Sequence, residues 1–391
     1  MLLGKENWLK KTETLYSIWT LDDLKYTQST DSVYQIKDDG EIIKLFNKPV
    51  EGTFVPSTEN SYYILQDEKV ELFDSNNSSV WINYNYRDKR KIMDIEIGKN
   101  GDIFIMHTKD ASRSGIYQFR KEEGTDDFYS SLVDDTWIGG LYVTAENDVY
   151  TAGGYMNDNY EISNPYTNSR DPIIERLSSF FNENIAEAST NDLNEIRKVF
   201  WWSPERAVGR AHEIVGDEKG DLYVVASDGT SEEGKGPFLF KFDKDFNQIW
   251  KKDMDKSIHA YVTDMEIDHE NDMIYLSMID HSRIWNGSGF DPQYQTYLMA
   301  YDTNGAKKNS ISYGIDYPQY GIKDIEINDS TLLFSGIGKI GDSNNTSQND
   351  PYIGQYSTLQ LFNESPVSIF LSERNLNEGI SPNQWFGTLS S

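Results

Sequence analysis

One phrase constrains the fold more than any other feature: "FLFKFDKDFNQIW", Phe238 to Trp250, whose plan recurs along the chain. An apolar alternating run leads into a turn of Asp, Asn, Gly or Ser, and a second apolar run follows. The plan returns as "VYQIKDDGEIIKLF" around Ile36, "VELFDSNNSSVW" around Phe73 and "IYQFRKEEGTDDFY" around Phe119. It returns again as "IIERLSSFFNENI" around Leu177, "YLMAYDTNGAKKN" around Tyr301 and "LQLFNESPVSIF" around Phe362. Period-two alternation on both sides of a tight polar turn is the signature of a β-hairpin.

A second phrase precedes each hairpin, with clear copies in "IMDIEIGKNGDIFIMH", "LYVTAENDVYTAGG", "AHEIVGDEKGDLYVVAS", "VTDMEIDHENDMIYLSM" and "IKDIEINDSTLLFSGI". Its Asn, Asp and Gly residues tolerate positive φ and set a sharp reversal. Each unit therefore holds four short strands, and seven units are present. A lone four-stranded sheet leaves its faces poorly covered, and packing such sheets face to face buries them. The expectation is an all-β, seven-bladed propeller of four-stranded antiparallel blades in one domain, 1–391. The blades fall near 8–48, 49–84, 90–130, 136–203, 208–253, 258–313 and 318–372, with a tail at 373–391.

The segment "DEKGDLYVVASDG…GPFLFKFDKDFNQIWKKDM", Asp217 to Met254, resembles the SBBP-type repeat of bacterial seven-bladed propellers. That repeat joins a D-x-x-G-[DN]-[VIL]-Y-V strand to a [FY]-L-x-K-[FLY]-D-x-x-[GF]-N-x-x-W hairpin. The likeness is closest in the fifth unit and partial in the third, sixth and seventh. It implies fold and repeat number but no activity, since propellers host binding, catalysis and scaffolding alike. The tryptophans of the phrase, Trp81 and Trp250, read as packing between blades.

Charge narrows the partners. Sixty-four acidic residues against 36 basic ones leave a net charge of −28. A phosphate backbone is held by clustered Lys and Arg, so nucleic acid is excluded as a partner, and so is an anionic lipid surface. No cysteine is present, which excludes disulfides, Cys-liganded metals and thiol nucleophiles. "MLLGKENWLKK" lacks the apolar centre of a signal peptide, and no run is long enough to span a membrane. The expectation is synthesis in the cytoplasm without export.

Variation lies in the connections between the second and third strands of units four to seven. These read as long loops, 153–172, 227–237, 280–295 and 338–356, raised on one rim. They are rich in Asn, Asp, Ser, Gly and Tyr, which suits a carbohydrate or protein surface. The candidate ligand-binding residues are Asn157, Tyr160, Tyr166, Asp228, Asp280, His281, Arg283, Trp285, Tyr294, Asp342 and Tyr352, with Trp285 as the main anchor. In unit four, Asn191 reads as the cap of a short helix over 191–202, with Leu193, Ile196 and Phe200 on one face.

Catalytic signatures are missing. The five histidines show neither H-x-x-H nor H-E-x-x-H spacing. There is no G-x-S-x-G, phosphate loop or dinucleotide fingerprint, and carboxylates are too many to single out a hydrolytic pair. No cofactor is expected. The oxygen-rich stretches "DHEND" and "SDGTSEE" have the ligand density of a calcium site without EF-hand spacing, and read as solvated turns. Three functions remain open: a non-enzymatic phage tail or baseplate component that recognises cell-wall carbohydrate or docks virion proteins, a glycan lyase or hydrolase, and a bacterial protein-interaction scaffold.

Overall fold

The computed structural model is a seven-bladed β-propeller whose described residues are almost wholly strands and turns. It describes the strands and tight turns between Leu9 and Thr358; residues 1–8, 12–17, 84–90, 131–135, 157–169, 177–196, 200–208, 229–236, 286–289, 316–320, 339–349 and 359–391, with shorter breaks, lie outside the described residues. The chain forms two compact units. One comprises residues 48–261 and the other residues 1–47 with 262–391.

Four blades belong to the first unit. Blade two is β6 (Thr53–Pro56), β7 (Ser61–Gln66), β8 (Lys69–Asp74) and β9 (Ser79–Asn83). Blade three is β10 (Lys91–Ile97), β11 (Ile103–Asp110), β12 (Arg113–Phe119) and β13 (Asp126–Ser130). Blade four is β14 (Thr136–Val143), β15 (Val149–Met156), β16 (Arg170–Arg176) and β17 (Arg197–Val199). Blade five is β18 (Gly209–Gly216), β19 (Leu222–Asp228), β20 (Phe238–Phe242) and β21 (Gln248–Asp253).

The other unit holds three. Blade one is β2 (Ile18–Leu21), β3 (Leu24–Gln28), β4 (Ser32–Ile36) and β5 (Ile42–Asn47). Blade six is β22 (Tyr261–Asp268), β23 (Met273–Trp285), β24 (Phe290–Asp302) and β25 (Lys307–Ile315). Blade seven is β26 (Gly321–Asn328), β27 (Thr331–Gly338) and β28 (Asp350–Ser357), completed by β1 (Leu9–Lys11) from the other end of the chain.

The repeated phrase has a local cause. Asp74, Asp243 and Asp302 each open the turn after the third strand of a blade. One carboxylate oxygen of each accepts two backbone N–H groups, from residues two and four further on, at 2.8–3.0 Å. The fourth residue of the turn adopts positive φ, at Asn77 (60°), Phe246 (61°) and Gly305 (79°). An aspartate that caps its own turn and a residue tolerant of the left-handed region are thus what the phrase encodes.

Blades meet through apolar faces and through the backbone. In blade two the Trp81 indole N–H donates to the Lys121 carbonyl of blade three at 2.8 Å, and the Asn83 amide donates to Gly124 at 2.8 Å. The expected packing role of Trp81 is therefore met. Blades four and five share a core of Tyr150, Ile174, Ile214, Val224, Phe240 and Phe246. Blades six and seven share Tyr275, Leu298, Ile322, Ile325 and Phe334.

The first strands carry a recurrent bulge, at 92/94, 138/140, 211/213 and 322/324. An aspartate follows the bulge in blades three and seven. Asp94 accepts the Leu141 N–H of blade four at 3.2 Å, and Asp324 accepts the Ile18 N–H of blade one at 2.9 Å. Blade four has Gly140 at this position, where a Cβ would lie 2.7 Å from the Glu213 Cα of blade five. Here close backbone approach replaces the carboxylate.

Several expectations are corrected. The third strand of blade seven is β28 rather than a strand at 359–362, and its fourth is β1, so blade one begins at Ile18 and not near residue 8. The exposed edge of β28 finds its pairing partner in Leu9–Lys11, whose own alternation is too short to stand out. The expected helix over 191–202 is interrupted by β17, where Arg197, Lys198 and Val199 pair with Glu175, Ile174 and Ile173. Backbone groups on an open strand edge need partners more than an i, i+3, i+7 pattern needs a helix. The tail 373–391 lies outside the described residues.

Candidate recognition surface

Blade six departs from its neighbours in strand length. β23 and β24 each have 13 residues, against eight in β22 and nine in β25. Thirteen consecutive pairs run without a register break from Met273↔Asp302 to Trp285↔Phe290. The pairing of β24 with β25 ends at Tyr294↔Ile315. Beyond it, Ser282–Trp285 and Phe290–Gln293 form a two-stranded ribbon, roughly 13 Å long at ~3.3 Å per residue.

This corrects the reading of 280–295 as a loop: it is a hairpin extension around a four-residue connection. Asp and Ser in "DHSRIW" read as irregular chain. Pairing to a partner strand satisfies every second N–H and C=O regardless of side chain, and that decides the outcome. The 338–356 segment is likewise shorter than expected, because β27 runs to Gly338 and β28 begins at Asp350.

The ribbon and the pair at its base gather four of the candidate residues: Arg283 and Trp285 in the ribbon, His281 and Tyr294 where β25 still pairs with β24. His281 stands opposite Tyr294, Arg283 opposite Pro292 and Trp285 opposite Phe290. Opposed pairs two apart share a face, so these six positions lie on one face of the hairpin. Asp280 falls on the other face, buried in the blade body. Desolvation together with the Asp280 charge raises the Tyr297 phenol above its ordinary pKa.

Two of the remaining candidates occupy strand positions. Asp228 ends β19 opposite Gly209. Tyr352 lies in β28 between Gly336 of β27 and Lys11 of β1, a strand position rather than a loop. Asn157, Tyr160, Tyr166 and Asp342 lie outside the described residues. Sequence reasoning missed Phe290 and Pro292. The signal for both was "RIWNGSGFDP", in which the residues on either side of a Gly-rich centre pair one for one.

Among the described residues, no three His, Cys, Asp or Glu side chains converge as a metal site would require. In "DHEND" the Asp268 carboxylate accepts the Glu270 and Asn271 N–H groups at 3.1 and 3.0 Å and the Asn271 amide at 2.8 Å. Its oxygens hold the turn itself. No helix among the described residues is long and apolar enough to cross a membrane.

No protein-family model and no curated protein matches this sequence. Solved structures do. A polysaccharide lyase of family PL25, an ulvan lyase bound to a GlcA–Rha3S ligand, aligns over 90% of this chain and 95% of its own at TM-score 0.52 and 10% identity. The β-propeller domain of the Trilobed protease from Pyrococcus furiosus aligns over 90% and 99% at TM-score 0.48 and 10% identity. At such identity the lyase likeness is one of fold. The resemblance of the fifth unit to the SBBP-type repeat rests on its motif.

Proposed function

We propose that this chain is a non-catalytic binding propeller whose blade-six ribbon recognises a bacterial cell-wall glycan, within a phage tail or baseplate. The observation that carries the binding reading is the ribbon: blade six extends two strands past both neighbouring strands and ends them on a Trp–Phe pair. A packed blade has no need of such an extension, and rigid aromatic positions on a projecting element are what binding surfaces use. The virion assignment draws on the cysteine-free, Asn- and Tyr-rich composition.

The test is adsorption of the purified protein to intact cell walls, comparing wild type with Trp285→Ala and Phe290→Ala. Each substitution is expected to weaken adsorption by about 2 kcal/mol, a typical loss for a central aromatic anchor. Adsorption equal to wild type in both variants would reject the ribbon. Release of unsaturated sugar products during the assay would favour a lyase instead. Mass spectrometry of virions from the phage encoding the chain decides the virion assignment separately.

A further inference from the structure

The two faces of the blade-six ribbon differ in kind. One carries the opposed pairs Arg283–Pro292 and Trp285–Phe290 and continues at its base into His281–Tyr294, and every member is a ring or a planar cation. The other carries Ser282–Gln293 and Ile284–Asp291, with no ring at all. Pairs on one face repeat every two residues, about 7 Å apart. Arg283 therefore occupies the middle step, with an aromatic pair about 7 Å to either side.

Ring faces stack on the flat C–H faces of sugars, and a guanidinium forms paired hydrogen bonds with a carboxylate or phosphate. The setting sharpens the second point. A chain of net charge −28 offers no general attraction to an anion. A lone arginine on a ring-bearing strip of such a chain acts at short range, on an acidic group placed beside the rings. Lysine is a poor substitute there, because only the planar fork pairs bidentately and stacks as well.

We infer that the ring-bearing face of the ribbon binds a polysaccharide with an acidic substituent, Arg283 reading the acid while Trp285, Phe290 and Tyr294 stack on sugar rings. The inference rests on the reading of the ribbon as the recognition element and adds the chemical class of its ligand. A uronic carboxylate and a backbone phosphodiester present the same chemistry to Arg283.

Binding of the full chain to three polymers separates the sources: polygalacturonate for carboxylates, glycerol-phosphate teichoic acid for phosphodiesters, and hydroxyethyl cellulose as the neutral control. Wild type should bind one acidic polymer at least about tenfold tighter than the neutral one. Arg283→Gln should abolish that preference, and Arg283→Lys should restore only part of it, since losing a charge-assisted pair costs about tenfold or more. Trp285→Ala should weaken binding to every polymer that wild type holds. Gln293→Ala, on the opposite face, should bind as wild type.

Loss of binding in Trp285→Ala with Arg283→Gln unchanged would overturn the acidic ligand and leave the ribbon standing. Wild-type binding in all variants would overturn the ribbon and the inference together. So would failure of wild type to bind any of the three.

Discussion

The carboxylate of Asp264, in the first strand of blade six, accepts the backbone N–H of Ile325 in blade seven at 2.6 Å. Its second oxygen accepts the Met265 N–H at 2.8 Å. The link repeats from Asp94 to Leu141 and from Asp324 to Ile18. A bulge takes one residue out of the ladder and leaves N–H groups without strand partners. Asp94, beside its bulge, and Asp264 each serve one N–H of their own strand and one in the next blade. The phrase D-[IM]-E-I, at Asp94, Asp264 and Asp324, is thereby a joint between neighbouring blades.

Asp264→Ala removes this acceptor and leaves a buried N–H in the joint of blades six and seven. The expected loss is about 1–3 kcal/mol in urea unfolding, the desolvation cost of an unpaired buried group. Asp264→Asn keeps one carbonyl acceptor and should lose less. Equal stability of wild type and the alanine variant would remove the joint from the account.

Asp94 makes one joint pH-sensitive. Enclosure between blades three and four raises its carboxyl from an ordinary value of 3.8 to about 6, against the lowering effect of its hydrogen bonds from Ile95 and Leu141. Between those values the folded chain binds more protons at this site than the unfolded chain does. Its contribution to stability is therefore full below about pH 4 and is lost as pH rises through about 6. Asp94→Asn should flatten that part of the stability profile, measured by urea midpoints from pH 4 to 7. A wild-type slope retained in the variant would assign the titration elsewhere.

Phe246 occupies a turn position where a side chain is strained, at φ 61°, yet it is buried and its ring meets Tyr150 of blade four edge-on at 6.1 Å. Phe246→Gly relieves about 1–2 kcal/mol of left-handed strain and loses about 3–5 kcal/mol of aromatic packing. Net destabilisation of about 2 kcal/mol is expected, and Phe246→Ala should be worse. A glycine variant more stable than wild type would show that the ring contributes little to the joint of blades four and five.

Blade seven depends on β1. Leu9, Lys10 and Lys11 pair with Gly354, Ile353 and Tyr352 and cover the edge of β28. Removing residues 1–11 should cost about 2–4 kcal/mol, the net of a few ladder hydrogen bonds. It should also raise self-association, because an open edge pairs with other chains. Unchanged melting and a monomeric elution profile would show that β28 needs no cover.

Short-range chemistry is what the sequence determined. Alternation with period two, capping aspartates such as Asp74, Asp243 and Asp302, and turn residues such as Gly305 act over four or five positions, so blade number and most hairpins were legible. Tertiary structure decided whatever depends on a distant partner. No local pattern pairs Leu9–Lys11 with β28 across more than 300 positions, or draws Arg197–Val199 onto β16 rather than into a helix. The ribbon lies between these cases. Its residues were picked out as candidates, but only the unbroken register of β23 and β24 places His281, Arg283, Trp285, Phe290, Pro292 and Tyr294 on one face. A strand assigns side chains to faces by counting, and the count is fixed only once the partner strand and its register are known.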